Sequence, residues 1–149
     1  MKELTKVTEI HVSYFPANYN NPTIKTCFDA YIELKEFFPE HEIALKEQFV
    51  VMYLNRANRV IGVYKLSNGG ITGTVSDVRL ILATALKTVA SSIIICHNHP
   101  SGNLNASAAD VFITNQIKEA AKLMDIGLSD HIIIAPNNKY LSMKEKGLL

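Results

Sequence analysis

The chain has 149 residues, of which 48% are hydrophobic and 19% are charged, and its formal net charge is +1. These values exclude a disordered chain, and they give no sign of the strongly basic surface that binds nucleic acid or membranes. The length fits one domain with a core of its own.

Cysteine content and hydropathy indicate where such a chain would reside. Cys27 and Cys96 form no Cys-x-x-Cys pair, which predicts two free thiols in a reducing cytoplasm. The first ten residues lack the apolar centre of a signal peptide. No apolar run approaches the roughly 18 residues that a membrane helix needs.

The first part of the chain is predicted to be an arm attached to the main domain. Apolar residues alternate over 10–15, which favours a strand. The Pro- and Asn-rich stretch 16–23 is the best candidate boundary. We therefore expect an N-terminal arm over 1–23 and a single domain over 24–149.

A helix and a hairpin are predicted next. Residues 24–38 favour a helix in which Phe28 and Ile32 recur at helical spacing. Strand-forming residues over 47–54 and 60–67, separated by a polar turn, predict a β-hairpin.

The second half alternates helices with short apolar strands. Ser76 is expected to cap a helix, with Asp77 in its first turn. Its predicted apolar stripe comprises Val78, Ile81, Leu82, Ala85, Leu86 and Val89. Residues 91–96 and 131–136 are typical of strands buried on both faces, and 107–124 predict a second helix between them. A polar tail follows.

This order of elements predicts an α/β fold. Buried strands alternating with helices imply a sheet covered by helices on both sides, in three α-β-α layers. Because the hairpin is antiparallel, the sheet is expected to be mixed.

Two histidines lie at the end of the strand 91–96. In an extended chain, residues two apart point the same way, so His97 and His99 face one side and Asn98 faces the other. Pro100 favours extended geometry at His99. The pair is therefore arranged as a two-point chelate.

An acidic residue heads the apolar face of the next helix. Asp110 starts the stripe that continues through Ile113, Ile117, Ala120 and Met124. A carboxylate there is costly unless it is paired or coordinates a cation. Two histidines and one aspartate leave an open fourth position on zinc, which is typical of catalytic sites.

A hydrolytic zinc site also needs a base, and carboxylates are scarce upstream. Between residues 46 and 96 only Glu47 and Asp77 are acidic, and Asp77 is explained by the helix start. Glu47 shares a strand face with apolar Phe49 and Val51, an unusual place for a carboxylate. Glu47 is therefore the candidate general base.

Other interpretations of these residues remain open. Ser107 and Asp110 also fit a capping box, Ser-x-x-acid. Cys96 is expected to pack in the core rather than bind metal. Of the other histidines, His131 is the best candidate to contact the pair from behind, whereas His11 and His41 lie in polar segments.

The stretch CHNHPSGNLNASAAD resembles the metal motif of the JAB/MPN (JAMM) metalloprotease domain. That motif is His-x-His, seven residues, Ser, two residues and Asp, with a glutamate upstream, and His97, His99, Ser107, Asp110 and Glu47 match it. Cys96 stands where the family often has Ser or Thr. The stretches HNHPSG, LNRANRVIG, GGITGT and LSDHIII are similar to the RadC branch.

The resemblance implies a cytidine-deaminase-like three-layer fold and a zinc hydrolase of peptide or isopeptide bonds. His97, His99 and Asp110 would bind one Zn²⁺ per chain. Glu47 would take a proton from the zinc water and protonate the leaving amine, and Ser107 would help stabilise the oxyanion. A peptide or protein substrate is expected, with the loops 68–74 and 100–106 rimming the cleft.

Two other functional classes remain open for this chain. Some members of this superfamily lose the metal and act as scaffolds, although this chain keeps the whole residue set. The RadC name is associated with DNA repair, so a DNA-associated accessory role is the other alternative. The net charge and the lack of a predicted helical DNA-binding module argue against it.

Overall fold

The computed structural model describes residues 7–17, 20–68 and 77–149. Ser76 and most of the loop 68–74, which were predicted to cap a helix and to rim a cleft, lie outside these residues. None of the helices in the described part has the length and apolar character needed to cross a bilayer.

Four helices and five strands are present in the described residues. In chain order they are α1 (Cys27–Lys35), α2 (Glu40–Ile43), β1 (Gln48–Leu54), β2 (Val60–Asn68), α3 (Val78–Lys87), β3 (Ser92–Asn98), α4 (Ala108–Leu123), β4 (Gly127–Ala135) and β5 (Lys139–Ser142).

The strands form one mixed sheet in the order β2-β1-β3-β4-β5. The hairpin strands β1 and β2 are antiparallel, as are β1 and β3. The crossover through α4 makes β3 and β4 parallel, and β5 returns antiparallel to β4. The central strand β3 is therefore hydrogen-bonded on both sides.

Two apolar cores separate the sheet from its helices, so the molecule has three layers. Alternate strand residues face opposite sides, which divides each strand between the cores. One core joins the sheet to α1 through Ala30, Tyr31, Leu34, Val50, Met52, Leu54, Ile94, Cys96, Ile132 and Ile134. The other joins it to α3 and α4 through Phe49, Val51, Tyr53, Ile81, Leu82, Ala85, Ile93, Ile95, Ile117 and Ala121. The predicted α/β three-layer fold is confirmed.

The strand predicted over 10–15 is wrong. Residues 8–16 have no regular structure, and Ile10 and Val12 are 86% and 73% exposed. Tyr14 reaches the main body with its side chain, whose hydroxyl donates to the carbonyl of Ile61 at 3.3 Å. Alternation of apolar residues is insufficient for a strand when no neighbouring strand pairs with it.

The helices differ in part from the predicted pattern. In α1, Phe28 and Ile32, which recur at helical spacing, are 53% and 37% exposed, and the buried residues are Ala30, Tyr31 and Leu34. In and after α3, Leu86 and Val89 of the predicted stripe are exposed. The helix itself begins after Asp77, which is its N-cap rather than a first-turn residue.

Strand lengths near the carboxyl end also differ from the prediction. β4 starts at Gly127, four residues earlier than predicted, and the supposed polar tail contains β5. Between the two strands, Asn137 and Asn138 have φ of 66° and 58°. Asparagine tolerates this left-handed conformation better than most residues, so the two strands can reverse direction here.

Candidate metal centre

The two histidines lie where β3 ends beside β1 and β4. His97 is within the strand and is 3% exposed, and its register partners are Phe49 in β1 and Ile133 in β4. His99 follows the strand, and its amide donates to the carbonyl of Ile134 at 2.8 Å. Both rings face the same side, as predicted, and their Nε2 atoms are 2.9 Å apart.

The loop after β3 sets the tautomer of the neutral His99 ring. Gly102 has φ of +85°, a conformation that favours glycine, and its amide donates to the carbonyl of His99 at 3.0 Å. The turn brings the carbonyl of Asn103 to 2.6 Å from Nδ1 of His99. Because a carbonyl only accepts hydrogen bonds, Nδ1 carries the hydrogen. In the neutral ring, Nε2 is then a bare lone pair.

A buried hydrogen-bond chain sets the tautomer of the neutral His97 ring in the same sense. The hydroxyl of Thr114 donates its one hydrogen to the carbonyl of Asp110 at 2.5 Å, so its oxygen must accept from Nδ1 of His131 at 2.6 Å. Burial lowers the pKa of His131 and keeps it neutral. Its Nε2 therefore accepts from Nδ1 of His97 at 2.7 Å. Nε2 of His97 is left as a lone pair facing His99.

Asp110 serves the start of α4 and the two imidazoles at once. Its Oδ2 accepts from the amide of Ser107 at 2.8 Å, and Ser107 Oγ accepts from the amide of Asp110 at 3.0 Å, which completes a capping box. The same carboxylate lies 3.2 Å from Nε2 of His97 through Oδ1 and 3.2 Å from Nε2 of His99 through Oδ2. The capping box is therefore present, and the same carboxylate is close enough to both imidazoles for its predicted role as a metal ligand to stay a prediction.

The charges of this cluster are coupled. Burial would raise the pKa of Asp110, but hydrogen bonds with His97 and His99 outweigh it and hold that pKa well below its usual range. The hydrogen bond with Asp110 raises the pKa of His99 against the opposing effect of burial. A carboxylate facing two lone pairs thus attracts a cation, either a proton or a metal ion.

Glu47 stands at the open side of the cluster. It directly precedes β1, one residue outside the strand that was predicted to include it. Its Oε1 is 4.0 Å from Nε2 of His97, and its side chain is 23% exposed, against 3% for His97. Glu47, His97 and His99 each offer a ligand atom within 4.8 Å of the others. Asp110 approaches the histidines more closely than Glu47 does.

Ser107 lies at the exposed rim of the site. Its oxygen accepts the capping hydrogen bond from Asp110, so its own hydrogen remains available to donate. The dual use of Ser107 that the sequence suggested is therefore compatible with its contacts.

The residues present suit a zinc ion. Imidazole nitrogen and carboxylate oxygen are common zinc ligands, and two ligands at 2.0–2.1 Å in tetrahedral geometry stand about 3.3 Å apart. The nitrogen–nitrogen separation of 2.9 Å and both nitrogen–oxygen separations of 3.2 Å are close to this value. With these three ligands, zinc would keep a fourth position for water or substrate, and Glu47 lies 4.0 Å from the nearest imidazole nitrogen.

Sequence reasoning missed Thr114 and the role of Asn98. Thr114 is fully buried in α4, whereas Met124, which was predicted to be in the apolar stripe, is the C-cap of the helix and is 50% exposed. A polar residue four positions after Asp110 on an apolar face was the available signal. Asn98 is also fully buried, on the opposite side of the sheet.

The remaining cysteine and histidine predictions agree with the structure. Cys27 and Cys96 are free thiols, and Cys96 lies in the core on the α1 side, away from the histidine pair. Burial raises the pKa of Cys96 well above its usual value. His11 and His41 are exposed, with side chains about 80% accessible.

Comparison with known proteins identifies the class of domain and then the family. Residues 25–148 match the family described as the RadC-like JAB domain. The chain therefore belongs to the RadC-like JAB domain family.

Curated relatives carry a family name that specifies no activity. The chain is 47% identical to a UPF0758 protein of Flavobacterium johnsoniae over 102 residues, which cover 68% of this chain and 44% of the relative. It is 40% identical to a UPF0758 protein of Porphyromonas gingivalis over 104 residues, covering 70% and 46%. A UPF0758 protein of Salinibacter ruber is 42% identical over 104 residues, covering 70% and 44%. The matched part spans less than half the length of these relatives.

Proposed function

We propose that this protein is a zinc-dependent hydrolase of peptide or isopeptide bonds. The observation that carries the proposal is the convergence of two Nε2 lone pairs and one carboxylate, all within 3.2 Å of one another, beside Glu47. Membership of the JAB domain family supports it, since that family includes metalloproteases.

His97, His99 and Asp110 would hold one Zn²⁺ per chain. When bound, zinc supplies a Lewis acid that polarises the scissile carbonyl and makes water a better nucleophile near neutral pH. Hydrogen bonds from His99 to Asn103 and from His97 to His131 place the hydrogen of each neutral ring on Nδ1, so that Nε2 is the nitrogen available to an ion. The protein thus prepares the ligands through contacts on the far side of each ring.

Glu47 is the proton carrier of the proposed reaction. Its carboxylate lies on the open side of the histidine pair, where it takes a proton from the attacking water and returns it to the leaving amine. Ser107 donates its hydroxyl hydrogen to the developing oxyanion. Such donors typically contribute on the order of 3 kcal/mol to transition-state stabilisation.

The substrate is proposed to be a peptide or protein chain. The side chains of Glu47, His99 and Asp110 are 23%, 14% and 13% exposed, so the cluster opens to solvent although His97 is buried. An extended peptide substrate would present its amide bonds to this cluster for hydrolysis. A strongly basic surface for DNA is not expected from a net charge of +1.

The test combines metal analysis with product analysis. Wild type and Glu47→Gln are loaded with zinc, and the metal content of each is measured. Both are then incubated with a peptide library derived from a bacterial proteome, and new termini are identified by mass spectrometry. We expect about one zinc per chain in both proteins and cleavage by wild type alone, with a loss of about 10²–10⁴-fold in the variant.

Other outcomes would contradict the proposal. Full cleavage by Glu47→Gln would remove Glu47 from the role of base. Zinc binding without any cleavage would favour the scaffold alternative, and salt-dependent binding of duplex DNA would favour the DNA-associated one.

A further inference from the structure

Asn98 lies between the two histidines in sequence, but its side chain points to the other face of the sheet. It is fully buried on the side of α1 and α2, on the sheet face opposite the two imidazoles. A buried amide is costly unless its polar atoms are hydrogen-bonded, so its contacts decide what it does.

The Asn98 side chain binds the main chain on both sides of Glu47. Its Oδ1 accepts from the amide of Gln48 at 2.7 Å. Its Nδ2 donates to the carbonyl of Lys46 at 3.0 Å and to the carbonyl of Ile43 at 2.8 Å. Both amide hydrogens are thus used, and the two peptide groups that flank Glu47 are fixed to the central strand.

The hydrogen bonds of the Asn98 side chain lie directly beyond the last paired residues of β1 and β3. Phe49 pairs with His97, so Gln48 is next to Asn98 in register, and Glu47 lies outside the strand. Glu47 would otherwise be carried by the segment after the four-residue helix α2. The asparagine extends the rigid strand by one step, to the residue whose carboxylate faces His97.

We infer that Asn98 is a positioning residue that holds the Glu47 carboxylate against the metal centre through the main chain of residues 46–48. The inference rests on the proposed function, because it assigns Glu47 the role of base. Within the sequence His-Asn-His, the two histidines then bind the ion and the asparagine positions the carboxylate of Glu47. A residue with a merely structural role would not act through Glu47.

The test uses a probe that needs no known substrate. Acetohydroxamic acid binds a divalent ion through two oxygens and loses a proton, so a nearby carboxylate base favours its binding. The full-length protein and its variants are loaded with Co²⁺, whose visible spectrum reports both metal binding and hydroxamate binding. The variants are Asn98→Ser, Asn98→Ala, Glu47→Gln and the double variant Asn98→Ser with Glu47→Gln.

A matched control exists at the other end of β1. Oδ1 of Asn55 accepts from the amides of Ala57 and Arg59 at 2.9 and 3.0 Å, so Asn55→Ala also removes side-chain contacts to the main chain. It lies about 20 Å along the strand from residue 48. It should lower stability without affecting hydroxamate binding.

We expect Asn98→Ser to bind Co²⁺ within about threefold of wild type, because its side chain does not reach the ligands. Its hydroxamate affinity should fall about 10-fold, as in Glu47→Gln. In the double variant the two losses should not add, since both act through the same carboxylate. Additive losses, or an unchanged hydroxamate affinity in Asn98→Ser, would overturn the inference.

Two further measurements distinguish a failure of the inference from misfolding of the variants and from a failure of the proposed function. If the Asn98 variants do not fold, hydrogen exchange of the wild-type protein is measured instead. The Gln48 amide should then exchange as slowly as the other amides of β1. Fast exchange at Gln48 would overturn the inference. If wild type binds no Co²⁺, the proposed function fails first. If Co²⁺ and hydroxamate bind but only Glu47 matters, the inference alone fails.

Discussion

Nδ1 of His97 lies 2.7 Å from Nε2 of His131, and both rings are almost completely excluded from solvent. A second buried contact, from His131 to Thr114, fixes the direction of this hydrogen bond. Phe49 stacks on His97 with an interplanar angle of 11° and meets the ring of His131 at 63°. The orientation of the proposed ligand His97 is therefore set from the interior of the protein.

Thr114→Val should weaken metal binding although Thr114 touches no proposed ligand nitrogen. Valine has nearly the same shape, but it leaves Nδ1–H of His131 without its acceptor and releases the hydrogen-bond chain to His97. We expect about 10–100-fold weaker Co²⁺ binding. Competition with a chelator of known affinity measures it.

Thr88→Val is the matched control for this change. The hydroxyl of Thr88 donates to the carbonyl of Thr84 at 2.8 Å, a bond back along helix α3 like that of Thr114 in α4. It contacts no histidine, so metal affinity should not change. Equal effects of the two substitutions would contradict the role of the His131 chain.

Zinc should raise the thermal stability of the protein through His99. Ligand at 100 times its dissociation constant adds about 2.7 kcal/mol to the free energy of unfolding. For a domain of this size that corresponds to a Tm about 5–10 °C higher. EDTA should reverse the shift, as scanning calorimetry can record.

The histidine controls separate a specific site from surface binding. His99→Ala should abolish the zinc-dependent shift, whereas exposed His41→Ala should retain it. A shift that persists in His99→Ala would mean that zinc binds elsewhere.

Cys96→Ala should leave metal binding intact. Cys96 directly precedes His97, and thiolates are common zinc ligands. Its side chain, however, lies in the core on the α1 side, and burial raises its pKa. We expect unchanged zinc stoichiometry and a stability loss of about 1 kcal/mol, measured by metal analysis and urea unfolding. Loss of zinc would place the thiol in the metal centre.

Asp130 should make stability depend on pH. It is 5% exposed and accepts hydrogen bonds from the amides of His131 and Lys144 and from the hydroxyl of Ser142. Burial nevertheless raises its pKa above the ordinary value of 3.8. A carboxyl with a raised folded-state pKa stabilises the fold most below its unfolded-state pKa, and this contribution is lost as pH rises through the folded-state pKa.

The comparison is therefore between wild type and Asp130→Asn in metal-free buffer. The difference in their free energies of unfolding should shift in favour of wild type as the pH falls from 7 to about 4. Urea unfolding at several pH values measures it. A constant difference would show that Asp130 titrates as it does in the unfolded chain.

Much of the candidate site follows from rules that act over a few residues. The period of two in a strand places His97 and His99 on one side, and the spacing from Ser107 to Asp110 sets the helix start. Glu47 was predicted to be the base because acidic residues are scarce upstream and because the sequence resembles a family motif.

The rest depends on neighbours that are distant in sequence. Thr114 and His131 meet only because α4 crosses over the parallel pair of strands, and Asn98 matters only because β1 lies beside β3. The helical spacing of Phe28 and Ile32 did not show which side of α1 faces the sheet, since the aromatic Phe28 is half exposed whereas small Ala30 is buried. Residue type alone does not determine which side of a helix meets the sheet.

Because the loop between β3 and α4 is short, the proposed ion would also have a structural role. His99 follows the central strand and Asp110 lies in the first turn of α4, so an ion held by both would cross-link two layers of the fold. The ring of chain closed in this way contains only residues 99–110, and closing so small a ring costs little entropy. Removing the ion would remove this cross-link between the first turn of α4 and the sheet, so the loss of metal should also be measurable in the helix layer.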